Sequence, residues 1–455
     1  MVKNQYTLIQ EEGFNIMLRR KAYAEILQWK NNHTKKCLMI KGARQVGKTY
    51  LVREFGKNEY ESFIEINFIK NPNLKDIFSG DIDAENIYKR MSFNIEGAKL
   101  IPHKTLIFLD EIQVCGRART AIKFLAEDDR FDIITSGNLL GLTYAEDDDP
   151  LVEEAESNPT GYEDFITMYS LDFEEFLWAI GISDEQIAGL KVYFDNNKKV
   201  DNLTNNKFEN LFKEFIAVGG MPEVVADYSM HRDFNRVDKI QRRIVTDYQF
   251  DIGKHAKGAE KMKVRKCYDS LPKQLSKEIT KFQYSVVEKG QTRKKYGGSV
   301  TWLVDSALVN ICYNVYEPYI PLLGNSNDDH FKLYSNDTGL LCSNYGFEMK
   351  KAILDNLLKG NTKGGIYENV IGECLIKKGY KLYYYKPDST HEIEFLIEKN
   401  NEVLPIEVKA SNSSTVSLNN FIDEFHPSIA FKFIDGNVGM DGVKKTLPHY
   451  MILFI

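Results

Sequence analysis

One octapeptide, GARQVGKT at 42–49, narrows the architecture more than any other feature of the chain. It follows the apolar run CLMIK (37–41) directly and runs into TYLVREF (49–55), so strand, glycine loop and helix come in the order that a phosphate cradle needs. Gly42 and Gly47 let successive backbone N–H groups curl around phosphate oxygens at a helix N-terminus. Lys48 brings a point charge to the β- and γ-phosphates, and the Thr49 hydroxyl is placed to ligate Mg²⁺. Tyr50, in the same helical turn, joins the candidate contacts.

Sixty-two residues beyond Lys48, the run LIFLDE (106–111) carries four apolar residues into two acids. A buried strand ending this way puts Asp110 where it can hold the metal and Glu111 where it can act as general base on water. The next apolar run, FDIIT (131–135), leads into Ser136-Gly137-Asn138. Ser136, or failing that Asn138, is the candidate for sensing the γ-phosphate.

CLMIK, SFIEINF (62–68), TLIFLD (105–110) and FDIIT are short, β-branched or aromatic, and separated by helix-length stretches, which predicts a parallel sheet with helical crossovers. From about 171 to 345 the pattern is mainly helical, and beyond 366 a helix gives way to strand-like YKLYYYK, HEIEFLIEK and VLPIEVKA. At about 150 residues per domain, 455 residues with 43% hydrophobic content suggest about three folding units. The closest pair among the six cysteines is 30 apart, so neither a CxxC metal site nor a disulfide framework is expected. No uncharged apolar run approaches a membrane span, so no membrane partner is expected and the expected compartment is the cytoplasm.

This first third resembles the AAA-type P-loop ATPases of a bacterial and archaeal family in which the ATPase domain precedes a conserved C-terminal domain of unknown function. The resemblance extends through MYSLDFEEFLWA (168–179), GGMPEVV (219–225), LPKQLSKEITKFQYS (271–285), WLVDSALV (302–309) and FKLYSNDTGLL (331–341), nearly the whole chain from Met17. It implies ATP and Mg²⁺ as ligands, and hydrolysis as the activity. One departure stands out: related ATPases place an arginine after the sensor strand, whereas residues 131–190 contain no Lys or Arg against 15 acids. Arg117, Arg119 or Arg130, a later domain, or a partner must supply that cation, or turnover is slow.

Net charge is −6, but it is segregated. Seven acids fall in 146–156, a face for a basic protein partner, while 254–295 holds 13 Lys/Arg against four acids. The stretch 265–316 reads as three helices and a strand pair, a winged helix. Its third helix would begin at Arg293, Lys294 and Lys295, positioned for duplex DNA, with Trp302, Leu303 and Leu308 facing the core. A protein-binding or purely structural winged helix stays open.

In the C-terminal part, Glu368 on a predicted helix, Glu394 in EIEF and Glu407-x-Lys409 in IEVKA resemble the PD-(D/E)XK nuclease core. Two strand carboxylates can hold Mg²⁺, with Lys409 on the same strand face as Glu407. The pattern has Asp where this chain has Glu394, which lengthens the arm by a methylene. A live nuclease, a decayed nuclease fold used for binding, and ordinary surface charges are all compatible with it.

The expected fold class is a multidomain α/β chain: a P-loop parallel-sheet ATPase at 1–180, a helical linker at 181–260, a winged helix at 261–348 and a restriction-nuclease-like domain at 349–455. The expected function is an ATP-driven switch or remodeller on DNA. The alternatives are an ATP-gated protein-interaction module and an ATP-dependent nuclease; the oligomeric state stays open.

Overall fold

A computed structural model describes residues 6–11, 14–138, 159–255, 258–277, 281–388, 390–410 and 416–455. The acidic stretch 146–156 lies outside the described residues. The chain divides into two units, 1–170 and 171–455.

In the first unit a hairpin of β1 (Tyr6–Glu11) and β2 (Phe14–Arg19) precedes α1 (Lys21–Asn32). Then follow β3 (Cys37–Gly42), α2 (Lys48–Glu59), β4 (Ser62–Asn67), α3 (Ala84–Asn94), β5 (Thr105–Asp110), α4 (Gly116–Asp128), β6 (Asp132–Asn138) and β7 (Glu163–Thr167). The five strands from β3 onward form one parallel sheet in the order β4-β5-β6-β3-β7. Every residue of β5 is buried, as a parallel strand covered on both faces requires. On one face Met39, Ile66, Ile107 and Leu109 pack against Ile87, Ala118, Ile122 and Leu125 of α3 and α4. The four expected strands are present. β7 is an addition, an edge strand whose sequence EDFIT is too mixed in polarity to stand out.

This strand order places β6 between the loop-bearing β3 and the acid-bearing β5. Ile40 pairs with Ser136, while Phe108 and Leu109 pair with Ile134 and Thr135. The C-terminal ends of three strands therefore meet beside the N-terminus of α2.

The second unit begins with helices α5 (Phe173–Ala179), α6 (Asp184–Asp195), α7 (Asn202–Val218), α8 (Pro222–His231), α9 (Phe234–His255) and α10 (Gly258–Leu275). The single turn α11 (Tyr284–Val287) and α12 (Arg293–Asp305) lead to the hairpin β8 (Val309–Val315) and β9 (Ser326–Ser335). Three helices come next, α13 (Thr338–Tyr345), α14 (Phe347–Leu354) and α15 (Gly360–Lys377). The chain ends with β10 (Leu382–Tyr385), β11 (Ile393–Lys399), β12 (Glu402–Val408), α16 (Val416–Phe425), β13 (Ala430–Ile434), β14 (Gly439–Asp441) and β15 (Lys444–Pro448).

Eight strands make one mixed sheet, β14-β15-β13-β12-β11-β10-β8-β9. β8 pairs with β10 in parallel, so the hairpin and the C-terminal strands share a sheet. Trp302, Leu303 and Leu308 are buried.

Three of the quoted sequence stretches meet in a buried polar knot. Asp337 caps α13 through Leu340 N–H (3.0 Å) and accepts the N–H of Gly220 (2.8 Å). A Cβ on Gly220 would lie 2.0 Å from the Leu171 carbonyl oxygen, which explains the glycine. Glu373 accepts from Thr338 N–H (2.8 Å) and pairs with Lys377 (2.5 Å), which also donates to Leu171 O (2.8 Å). Asn369 accepts from Ser335 N–H (2.7 Å).

Candidate functional site

The loop between β3 and α2 takes the shape its glycines permit. A Cβ on Gly42 would lie 2.1 Å from the Met168 carbonyl oxygen, and Gly47, at φ +93°, starts α2 from the left-handed region. Lys48 opens the helix, and its ammonium reaches back to the carbonyls of Gly42 (3.0 Å) and Ala43 (2.8 Å). Burial lowers its pKa to about 8, against the pull of Glu111 and Asp110. Tyr50 is half-buried in the same turn.

Asp110 is the hub. It is 2% exposed at the end of β5 and accepts hydrogen bonds from three elements. Thr49 Oγ1 donates from α2 (3.1 Å to Oδ2), Asn67 Nδ2 from the end of β4 (2.7 Å), and Ser136 Oγ from β6. Burial raises the Asp110 pKa, partly offset by the Ser136 bond. The Thr49 hydroxyl and the Asp110 carboxylate are hard oxygen donors about a hydrogen bond apart, a set that fits an ion which keeps several of its waters, such as Mg²⁺. Glu111, at φ +57°, turns the chain off the strand, and Gln113 Nε2 donates to its Oε2 at 2.5 Å. Lys48, Thr49, Asp110 and Ser136 thus come together with Glu111 alongside, while the side chain of Asn138 lies outside the described residues. Asn67 and Gln113 were not anticipated. Asn67 is the strand-end residue paired with Asp110, legible only once the strand order is known.

The three arginines considered for the phosphoryl charge are engaged in the scaffold. Arg119 pairs with the buried Glu163, Arg130 with Asp128 (2.7 Å) and Glu85 (2.8 Å), and Arg117 donates to the carbonyls of Phe78 and Gly80.

In the second unit the C-terminal carboxylates do converge. Glu394 accepts from Lys409 (2.7 Å) and Val408 N–H (3.2 Å); Lys409 lies 3.5 Å from Glu407, whose Oε2 is buried with no hydrogen-bond partner among the described residues. Burial pushes the Glu394 pKa up to about 7 even against Lys409, and raises Glu407 as well. Glu368, on α15, is met by Lys332 (2.6 Å) and Tyr334 from β9, and Lys332 also pairs with Glu392 (2.5 Å). Lysine amines therefore compensate these acids. Among the described residues no group of three His, Cys, Asp or Glu is placed to hold a metal ion.

The basic residues that open α12 are exposed. Arg293 pairs with Asp329 and Lys295 lies 4.0 Å from Glu288, which leaves Lys294 outside any ion pair among the described residues.

With the geometry in place, known proteins supply the class. Residues 34–177 match a family model described as an AAA domain; 209–351 and 363–446 match two domains of unknown function, DUF8612 and DUF4143. The N-terminal part is thus similar to AAA domains, and the two segments that follow match families with no assigned role. Similar solved structures include the Walker-type ATPase PABY2304 of Pyrococcus abyssi, at 14% identity and TM-score 0.41, covering 72% of this chain and 96% of that one. Replication initiator DnaA bound to AMPPCP and single-stranded DNA aligns at 14% identity and TM-score 0.29, covering 66% and 90%. PCH-2 of C. elegans aligns at 16% and 0.25, covering 47% and 62%. These likenesses are distant and say nothing of activity. No curated protein matches the chain. Among the described residues no helix is long and apolar enough to cross a membrane.

Proposed function

We propose that the chain is a Mg²⁺-dependent ATP hydrolase whose nucleotide cycle works as a switch. The observation that carries this reading is the convergence of Thr49, Asn67 and Ser136 on Asp110 next to Lys48, at the ends of adjacent strands. The N–H groups of the loop from Gly42 to Gly47 and the Lys48 ammonium bind the phosphate chain. Thr49 and Asp110 hold Mg²⁺, which when bound neutralises charge on the β- and γ-phosphates. Glu111 takes a proton from the attacking water. Ser136, bonded to Asp110 between the two motifs, reports the γ-phosphate to β6. Tyr50 lies beside the cradle on α2. With Arg117, Arg119 and Arg130 committed elsewhere, the cation for phosphoryl transfer comes from another segment or a partner.

A second reading, action on duplex DNA, is favoured by the exposed first turn of α12. That α12 with the β8–β9 hairpin forms a winged helix is part of this reading. Lys294 is the contact best placed to meet a phosphate without first breaking an ion pair. The order α15-β10-β11-β12-α16-β13 supports a nuclease-like framework, but the acids at 368, 394 and 407 sit on lysines, so we read that centre as a decayed one.

Steady-state ATP turnover with Mg²⁺, with and without duplex DNA at low salt and with Lys48→Ala as the blank, tests both readings. Turnover above the blank supports the hydrolase; stimulation by DNA that collapses as salt rises supports action on DNA. A wild type indistinguishable from Lys48→Ala refutes the hydrolase reading.

A further inference from the structure

Arg20 lies outside every motif discussed above, between the β1–β2 hairpin and α1, and is 3% exposed. Its guanidinium reaches two distant backbone segments. Nη1 donates to the carbonyl of Val46 (3.0 Å), inside the glycine loop, and Nη2 to the carbonyl of Tyr169 (2.7 Å), just beyond β7. A neighbouring bond runs the same way: Met168 N–H donates to Lys41 O (2.8 Å), and the Met168 carbonyl lies against Gly42. The loop carbonyls are thus held by Lys48, on Gly42 and Ala43, and by Arg20, on Val46.

A trans peptide points its C=O and the following N–H in opposite directions. Holding the Val46 carbonyl toward Arg20 therefore turns the Gly47 N–H away from it, to the opposite side of the same peptide plane. Gly47 immediately precedes α2, so this N–H belongs to the set that a phosphate would use. Here the two carbonyls are met by separate nitrogens of one planar guanidinium, and a lysine, whose donors sit on a single compact ammonium, does not reproduce that fork.

We propose that Arg20 is a positioning residue for the nucleotide loop: by bridging Val46 and Tyr169 it fixes the Gly47 peptide in the phosphate-binding orientation and ties the loop to the segment that leaves β7. This rests on the reading that the loop binds ATP.

The test is an equilibrium titration of the full chain with Mg²⁺ and a fluorescent ATP analogue, for wild type, Lys48→Ala, Arg20→Ala and Arg20→Lys, with circular dichroism to establish folding. Charge-assisted hydrogen bonds of this kind predict affinity weaker by about 10- to 100-fold in both Arg20 variants. Guanidinium at sub-denaturing concentration should restore part of the loss in Arg20→Ala, and sodium chloride at equal ionic strength should not. Folded Arg20 variants that bind at wild-type affinity overturn the inference, as does a loss of binding that guanidinium and sodium chloride affect alike. If Arg20→Ala unfolds, Arg20→Lys decides; if both unfold, Arg20 is a residue of the fold and the inference is wrong. A wild type that fails to bind overturns the ATP reading itself, and this inference with it.

Discussion

Breaking the Lys377–Glu373 pair should cost the second unit more than removing both its charges. The two side chains are 3% and 1% exposed and 2.5 Å apart. Burial raises the Glu373 pKa from its ordinary 4.5, and Lys377 opposes that rise through charge and hydrogen bond. Lys377→Met leaves Glu373 with only the Thr338 N–H and hydroxyl as donors. An uncompensated buried charge of this sort costs about 3–5 kcal/mol. The double variant Lys377→Met/Glu373→Gln keeps an acceptor for Thr338 and removes the charge. Its remaining loss is chiefly the Lys377 bond to Leu171 O, about 1 kcal/mol. At roughly 2–4 °C per kcal/mol the single variant should melt about 6–20 °C below wild type and the double only a few degrees below. The assay is thermal and urea unfolding followed by tryptophan fluorescence in a Trp29→Phe background, which leaves Trp178 and Trp302, both in the second unit. The deficit of the single variant should also shrink as pH falls. Its Glu373 has a raised folded pKa, so the penalty is full above that value and vanishes below the unfolded one. Equal midpoints for single and double variants would refute the account of the knot.

Three further outcomes follow from the geometry. Gly42→Ala places a methyl 2.1 Å from the Met168 carbonyl, so the backbone must shift at a cost of about 1–3 kcal/mol and nucleotide binding should weaken; Gly189→Ala, with nothing within 4 Å, is the control, and both are read by titration and melting. Asp110→Asn should weaken Mg²⁺-dependent nucleotide binding while leaving Mg²⁺-independent binding nearly intact, read by titration with and without EDTA. Glu394 has a folded pKa of about 7 against an ordinary 4.5, so its ionisation removes stability as pH rises through that window. Glu394→Gln should therefore gain on wild type between pH 4.5 and 7, by about 3 kcal/mol at most, in urea unfolding across pH. A constant difference would contradict the burial of that carboxylate.

The parts of the fold legible in the sequence are those whose signal is local. TLIFLD reads as a doubly covered strand because each of its residues is buried, and the glycine loop reads as a cradle because its function is carried by consecutive backbone groups. β7 escaped because EDFIT mixes acids with apolar residues at a sheet edge. In the site, Lys48, Thr49 and Asp110 were legible, whereas Asn67 depends on the register between β4 and β5. Arg20 lies 149 residues from the Tyr169 carbonyl it binds, and nothing in its own neighbourhood marks it. In the second unit the E…E…ExK spacing pointed to neighbouring carboxylates and to Lys409, which pairs with Glu394 and Glu407, but not to the cation on Glu368. Lys332, from β9, arises outside that spacing and joins Glu368 to Glu392, which Lys386 also meets at 2.5 Å. Likewise Asp329 and Glu288, which occupy Arg293 and Lys295, come from other elements.

The central claim is hydrolysis of ATP with Glu111 as the base and the loop as the binder, and one comparison tests it most directly. Nucleotide affinity and steady-state turnover with Mg²⁺ should be measured side by side for wild type, Lys48→Ala and Glu111→Gln. The account predicts that Glu111→Gln binds ATP about as well as wild type while turnover falls by about 10²–10⁴, and that Lys48→Ala loses binding. Undiminished turnover in Glu111→Gln, or undiminished binding in Lys48→Ala, would contradict it.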